Sequence, residues 1–151
     1  MPTQKIKTFL WYDTQAEEAA RFYVSLFPDS RINRLVPGPG GTTMLVDFTL
    51  AGVDYAALNG GPMYQFSEAI SLAVDCDDQA EIDWLWNALS DGGSDQQCGW
   101  LKDRYGLSWQ IVPAILPKLL FDPARGGAVM QALMQMKKLD IQKLQAAYDG
   151  R

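Results

Sequence analysis

The sequence predicts an α+β fold in which one strand–helix–strand–strand–strand (βαβββ) module occurs twice and is followed by C-terminal helices. An apolar strand that ends at Asp13 runs into an acidic helix start, and the same pattern returns at Asp75, 62 residues later. After each helix, glycine-rich turns divide the chain into further short apolar segments. Such self-similarity is typical of a duplicated unit whose halves close over a shared cavity.

The first module spans residues 5 to about 60. Its first strand is apolar over residues 5–12, and Asp13 with Thr14 offers an N-cap to a helix that has two acidic residues in its first turn. Pro28 and Asp29 end this helix. Turn signals then predict three more strands, at about residues 31–36, 42–50 and 53–59.

The second module spans about residues 69–113. Asp103 begins a hairpin turn in which Gly106 supplies the positive φ that the turn needs. Around this turn we expect a strand at 69–75, a helix at 78–90 that stops at two glycines, and strands at 95–102 and 107–113.

The remaining residues, 114–151, form a helical extension, with helices predicted at 115–121, 124–138 and 141–147. Their apolar stripes, which include Val129 and Leu133, favour packing on the domain or on a second subunit. The alternative is a methionine-rich groove for partner peptides. We expect modules and extension to form a single domain over residues 1–151.

Composition excludes several classes of function. Hydrophobic residues make up 48% of the chain, which excludes disorder. The formal net charge is −5 and lysine and arginine are scattered, so we expect no nucleic-acid partner. Apolar stretches of signal-peptide or membrane-span length are missing, so we expect a cytoplasmic protein without a membrane partner. Cys76 and Cys98 form no CxxC pair and are compatible with a reducing compartment.

Few residues are suited to catalysis. The chain has no histidine, which removes the commonest ligand for a catalytic metal. Cys98 is the only plausible nucleophile, but it has no histidine to act as its base, and a small buried cysteine is the competing interpretation. Asp47 lies in an apolar strand and is the carboxylate best placed for acid–base work. We expect Asp103 to be a hydrogen-bonding cap.

Several longer segments resemble a known family. They are residues 9–12 with 22–23, residues 57–62, and the run Gln97-Cys98-Gly99-Trp100-Leu101-Lys102-Asp103 with residues 105–110. With these segments the chain resembles the vicinal oxygen chelate superfamily, which includes glyoxalase I, bleomycin-resistance proteins and extradiol dioxygenases. Within it, the chain is similar to the PhnB-like branch, whose members often carry the label 3-demethylubiquinone-9 3-methyltransferase. The resemblance covers residues 5 to about 148. It implies the glyoxalase/bleomycin-resistance fold, with half-barrel sheets, and a homodimer.

The resemblance also implies where a metal would bind. In the superfamily four ligands project from the first and last strand of each module, and these positions fall on Thr8, Asn59, Ala69 and Gln110. A divalent site needs about three anionic or imidazole ligands, and none of these residues is His, Asp or Glu. We therefore expect no metal and no other cofactor. The glycine clusters fall in hairpins, a linker and a helix end, which does not suit a seat for S-adenosylmethionine.

Strand alternation then predicts which side chains meet a ligand. If Thr8 and Gln110 face the cavity, Leu10 and Tyr12 face it too, whereas Phe9, Trp11 and Trp109 face the helices. The candidate ligand-binding residues are Thr8, Tyr55, Asn59, Ser71, Trp100 and Gln110.

The sequence thus favours a protein that binds a small, partly apolar molecule in a metal-free cavity. Two alternatives belong to other classes. One is a lyase, isomerase or dioxygenase of the glyoxalase type with an atypical metal site or a carboxylate such as Asp47, and the other is the methyltransferase of the family label.

Overall fold

The computed structural model describes residues 3–151. The chain divides into two compact units, residues 1–66 and 67–151, and each unit carries one four-stranded mixed sheet. Within the described residues, none of the helices has both the length and the apolar character needed to cross a bilayer.

The first sheet follows the predicted βαβββ order. β1 (Thr8–Tyr12) pairs in parallel with β4 (Val53–Asn59). The antiparallel strands β3 (Thr43–Leu50) and β2 (Arg31–Pro37) complete the order β1-β4-β3-β2. The strand bounds agree with the predicted ones to within a few residues. The helix between β1 and β2 is α1 (Ala16–Val24).

Helix α1 covers one face of this sheet. Its buried side chains, which include Ala19 and Tyr23, pack against the buried residues Leu10, Tyr12 and Phe48. The hydroxyls of Tyr12 and Tyr23 lie 3.0 Å apart and share a hydrogen bond inside this core. Both aromatic rings are therefore buried with their polar ends satisfied.

The second sheet has the order β5-β8-β7-β6, again with one parallel pair at its edge. The strand predicted at 95–102 is wrong as one element. It is split into two short antiparallel strands because Cys98 and Gly99 adopt φ values of 62° and 85°, which reverse the chain. The elements are β5 (Ser71–Cys76), α2 (Gln79–Ser90), β6 (Ser94–Asp95), β7 (Trp100–Lys102) and β8 (Ser108–Pro113).

The turn between β7 and β8 is organised by Asp103, as predicted. Its buried carboxylate accepts hydrogen bonds from the backbone N–H groups of Tyr105 and Leu107 and from the indole Nε1–H of Trp109, at 2.9, 3.1 and 2.9 Å. Gly106 takes a φ of 88°. The carboxylate thus ties the turn to the core beneath α2.

The C-terminal extension packs on the second module, within the second unit. Its apolar side chains, among them Val129, Leu133 and Leu139, form a core cluster. The N–H groups of Cys98 and Gly99 donate to the carbonyls of Met136 and Lys137, each at 2.8 Å. This packing supports the core interpretation of the apolar stripes. The helices are α3 (Leu116–Leu120), α4 (Gly126–Met134) and α5 (Ile141–Asp149).

Candidate functional site

The alternation predicted for the first sheet is wrong. Leu10 and Tyr12 pack against α1, so the residues on the same side of the sheet also face the helix. The register pairs Thr8 with Tyr55 and Tyr12 with Asn59, which places all three candidate residues of this sheet on the α1 side. These three residues therefore lie on the helix side of the sheet, and their part in ligand binding stays a prediction.

Asn59 has a local structural role. Its Oδ1 accepts the N–H of Ala16 at 2.8 Å, and its Nδ2 donates to the carbonyl of Thr43, also at 2.8 Å. It therefore satisfies an N–H group at the start of α1 that has no partner within the helix. The predicted N-cap at Asp13 and Thr14 is wrong, since Gln15 is the N-cap residue and makes no side-chain bond there.

Tyr55 also belongs to the packing of the first sheet. Its ring stacks on Phe48 with centroids 5.5 Å apart, and burial raises the pKa of its hydroxyl. Thr8 lies beside it in the register but is exposed.

The opposite face of the first sheet carries Phe9, Trp11 and Asp47. The indole of Trp11 donates to the carbonyl of Gly61 at 2.9 Å and meets Tyr64 edge-on, with centroids 4.9 Å apart. Asp47 is paired with Arg34 at 2.8 Å and lies 3.7 Å from Lys7. Because two cations hold this carboxylate, it lacks the features of a desolvated general base.

The second sheet brings the other three candidates together. Trp109 packs in the core beside α2 and Leu101, so Gln110 and its neighbours point to the side away from α2. The register places Trp100 beside Gln110, and Gln110 beside Ala73. The alternation predicted for this sheet is therefore correct. We call the side opposite α2, with Ser71, Ala73, Asp75, Trp100, Lys102, Ser108, Gln110 and Val112, the open face.

Polar groups gather at one end of the open face. The Nε2 of Gln110 donates to the Oγ of Ser71 at 2.9 Å. Ser108 lies in register with both Ser71 and Lys102, is fully buried, and its Oγ has no hydrogen-bond partner among the described residues. The Nζ of Lys102 forms an ion pair with Glu68 at 2.7 Å. Lys102 was not among the predicted site residues.

The other end of the open face carries one exposed carboxylate, that of Asp75, and is otherwise apolar. Val112 and Cys98 pack against the core cluster of the C-terminal extension. Half-buried Trp100 lies between this apolar end and the polar end. Cys98 is therefore part of a packed wall, which agrees with its structural interpretation. Cys76 is buried, and desolvation, aided by the carboxylates of Glu81 and Asp75, raises the pKa of its thiol to about 12.

These side chains do not fit a catalytic divalent metal. Thr8, Asn59, Ser71 and Gln110 offer only neutral oxygen and nitrogen donors. Across residues 3–151, no three His, Cys, Asp or Glu side chains are grouped so that they could hold an ion. S-adenosylmethionine fits no better, because the turns that lead from β1 to α1 and from β5 to α2 contain no glycine.

A groove of about 880 Å³ lies between the starts of α2 and α5. Several of its polar side chains are already paired. Asp83 pairs with Lys138 at 2.9 Å, and the side chain of Gln79 bonds the backbone of Leu139 and Ile141. The groove therefore lies where the second module and the extension pack against each other.

The sequence matches the family model described as 3-demethylubiquinone-9 3-methyltransferase over residues 4–112. A solved structure from Bacillus cereus, provisionally described as a 3-demethylubiquinone-9 3-methyltransferase, PhnB protein, is 34% identical. The match covers 74% of this chain and 100% of that one, with a TM-score of 0.70. The chain belongs to this PhnB-like family, as predicted. No functionally curated protein matches it.

More distant structures share the fold. A protein from Pseudomonas aeruginosa is 20% identical over 74% of this chain and 98% of its own, with a TM-score of 0.63. The fosfomycin resistance protein FosX from Mesorhizobium loti is 16% identical over 80% and 98%, with a TM-score of 0.58. The glyoxalase/bleomycin-resistance fold is confirmed, although neither sheet closes into a barrel. The family match covers residues 4–112, and the extension of the resemblance to residue 148 stays a prediction.

Proposed function

We propose that this member of the 3-demethylubiquinone-9 3-methyltransferase family binds a small, partly apolar molecule on the open face of its second sheet. The observation that carries the proposal is the amide of Gln110. It is held by Ser71 at 2.9 Å on the face away from α2, next to half-buried Trp100. A positioned amide beside an indole offers directional hydrogen bonds together with an apolar platform, as small-molecule sites commonly do.

The two ends of the open face support a ligand of mixed character. Hydroxyls and an amide lie at the end formed by Ser71 and Gln110, and the packed extension forms an apolar wall at Val112. The hydrogen-bond donors of the open face are therefore concentrated at one end. A molecule with one polar end and an apolar body matches this distribution.

The first test is native mass spectrometry of protein purified without chelator or affinity metal. It reports subunit count, bound metal and co-purified metabolite together. We expect an organic adduct, and we expect Gln110→Ala to weaken its binding by about 1–3 kcal/mol, as for a lost buried hydrogen bond. Circular dichroism of the variant checks that the fold is kept.

Asn59→Ala is the matched control. Because Asn59 bonds the start of α1 and the backbone of β3, its loss should lower the free energy of unfolding and leave ligand affinity on the second sheet unchanged. Affinity that falls equally in both variants would contradict the assignment of the site to the open face. Unchanged affinity in Gln110→Ala would contradict it as well.

The family description favours methyl transfer as a second candidate. Titration calorimetry with S-adenosylmethionine decides between the two, since a transferase must bind the methyl donor. We expect no heat of binding, because the strand-to-helix turns lack the glycines that such a seat would need. Saturable binding of S-adenosylmethionine would favour the methyltransferase over the binding protein.

We also propose that the chain acts as a cytoplasmic homodimer. The support is a set of exposed apolar side chains in the first unit, where Ile6 is 85% and Phe9 55% exposed. Exposed apolar groups of this kind are typical of surfaces that become covered. Light scattering after size exclusion should give twice the mass of 16.8 kDa.

A further inference from the structure

We propose that the polar end of the open face receives the carboxylate of a small organic acid, and that Glu68 occupies this place until the ligand displaces it. This inference rests on the proposed function and names its ligand class. Three groups carry it, namely Lys102, Ser108 and Glu68.

The buried hydroxyl of Ser108 is the first step of the argument. A buried polar group without a partner is costly, so proteins rarely leave one unpaired unless something else completes it. Ser108 is fully buried, its Oγ has no hydrogen-bond partner within residues 3–151, and its register puts it on the open face between Ser71 and Lys102. A hydroxyl in this position can donate to an anion that arrives there.

Neighbouring donors point to the charge of that ligand. Ser71 already accepts from Gln110, so its own O–H remains a donor. Lys102, across β8 from Ser71, supplies one positive charge. Two hydroxyl donors and one ammonium group suit a single carboxylate, because each of its oxygens accepts hydrogen bonds and its charge matches that of the lysine.

Glu68 shows that Lys102 pairs with a carboxylate in this part of the open face. Its Oε1 lies 2.7 Å from the Nζ of Lys102, which holds the pKa of Glu68 below its usual range. Glu68 precedes β5, whereas Lys102 lies on β7, and β8 runs between those strands. The ion pair therefore spans the start of β8, where Ser108 lies. Because Glu68 is exposed, its pairing is weak enough for a ligand to exchange with it.

The ligand class follows from both ends of the open face. A carboxylate binds at Lys102, Ser71 and Ser108, and an apolar or aromatic body extends past Trp100 towards Val112. Benzoate is a suitable probe, because it has this shape, and benzamide is its neutral counterpart of equal size.

The experiment titrates ¹⁵N-labelled full-length protein with each probe and follows the Trp100 indole and the amide signals of Ser71, Ser108 and Gln110. Because exposed Glu68 competes only weakly with a ligand for Lys102, we expect Glu68→Gln to bind benzoate about two- to fivefold more tightly than the unaltered chain does. Lys102→Met should lose the preference for benzoate over benzamide. Affinity for benzamide should stay the same in all three proteins.

Asp91→Asn is the control for charge. Asp91 forms a looser pair with Arg104, at 3.6 Å in the same unit, and its replacement also changes the formal net charge from −5 to −4. It should leave benzoate affinity unchanged. If Lys102→Met fails to fold by circular dichroism, Lys102→Gln takes its place.

The outcomes separate this inference from the proposed function. One outcome is that benzoate shifts the Trp100 signal with the same affinity in the unaltered chain, Glu68→Gln and Lys102→Met. This result overturns the carboxylate site, but the open face is still a binding face. No shift with benzoate in Glu68→Gln at millimolar concentration overturns the carboxylate site too. The proposed function then depends on the adduct found by mass spectrometry and its response to Gln110→Ala.

Discussion

Replacing Asp103 by asparagine tests how the turn between β7 and β8 is held. The carboxylate accepts the N–H groups of Tyr105 and Leu107 through Oδ1 and the indole N–H of Trp109 through Oδ2. Asparagine has the same shape but only one oxygen. If that oxygen keeps the two backbone bonds, its NH₂ group faces the indole N–H, 2.9 Å away in the native pair, and two donors oppose each other.

The expected magnitude follows from this opposition. A buried donor without an acceptor costs about 1–3 kcal/mol, and the original bonds to a charged acceptor are stronger than neutral ones. We expect Asp103→Asn to lower the free energy of unfolding by about 2–4 kcal/mol. Trp109→Phe removes the indole donor. In a protein that carries both substitutions, the NH₂ group of the asparagine at position 103 therefore faces no second donor. The double variant should therefore be more stable than the sum of the two single changes predicts, by about 1–2 kcal/mol.

Urea unfolding of the four proteins, followed by far-UV circular dichroism, measures this coupling. Trp84→Phe is the matched control, because Trp84 is exposed on α2 and should combine additively with Asp103→Asn. A coupling below about 0.5 kcal/mol between positions 103 and 109 is within ordinary additivity and would refute the role given to the carboxylate.

Three other predictions concern stability. Because burial raises the pKa of Cys76 to about 12 from a reference of 9.0, the folded state holds this proton more tightly. The resulting stability is present below pH 9 and is lost as the pH rises towards 12. By pH 10.5 the unaltered protein should have lost about 2 kcal/mol more than Cys76→Ala, and parallel pH profiles would contradict this. A Cβ on Gly126 would lie 2.1 Å from the Leu120 carbonyl, whereas Gly127 has open space. Gly126→Ala should therefore lower the melting temperature, and Gly127→Ala should raise it slightly. Melting temperatures that change in the same direction in both variants would contradict this prediction. Asp140 caps α5 by accepting the N–H of Lys143, so Asp140→Ala should lose about 0.5–2 kcal/mol in urea unfolding, and exposed Gln142→Ala should lose almost nothing.

The order of elements was predictable because it depends on local signals. Turn glycines, helix-stopping residues and the return of one pattern after 62 residues each lie within a short stretch of sequence. The direction in which a strand presents its side chains is different. In β1 both alternating sets are apolar, Phe9 and Trp11 in one and Leu10 and Tyr12 in the other, so the sequence alone does not indicate which set meets the helix.

The resemblance placed functional positions at Thr8 and Asn59, and the alternation counted from Thr8 added Tyr55 and assigned all three to the side of the sheet away from the helix. The side-chain directions of the second sheet were easier to predict, because Gln110 is polar among apolar neighbours. This difference distinguishes the two faces of β8. Partnerships that are distant in sequence were not predictable from local signals. Asn59 bonds the start of α1, 43 residues earlier, and Lys102 pairs with Glu68 across a strand.

The hydrogen bonds from Cys98 and Gly99 to Met136 and Lys137 have a consequence for synthesis of the chain. The reversal at Cys98 holds a non-glycine residue at positive φ, which is unfavourable without support from the surrounding structure. That support comes from residues made 38 positions later. The first unit has every strand of its sheet once residue 66 has been made, and it can fold while translation continues. The second sheet must wait for the last quarter of the polypeptide. A nascent chain that stops near residue 113 would therefore expose β7 and β8 without the hydrogen bonds to Met136 and Lys137. It would be a preferred substrate for proteases and chaperones.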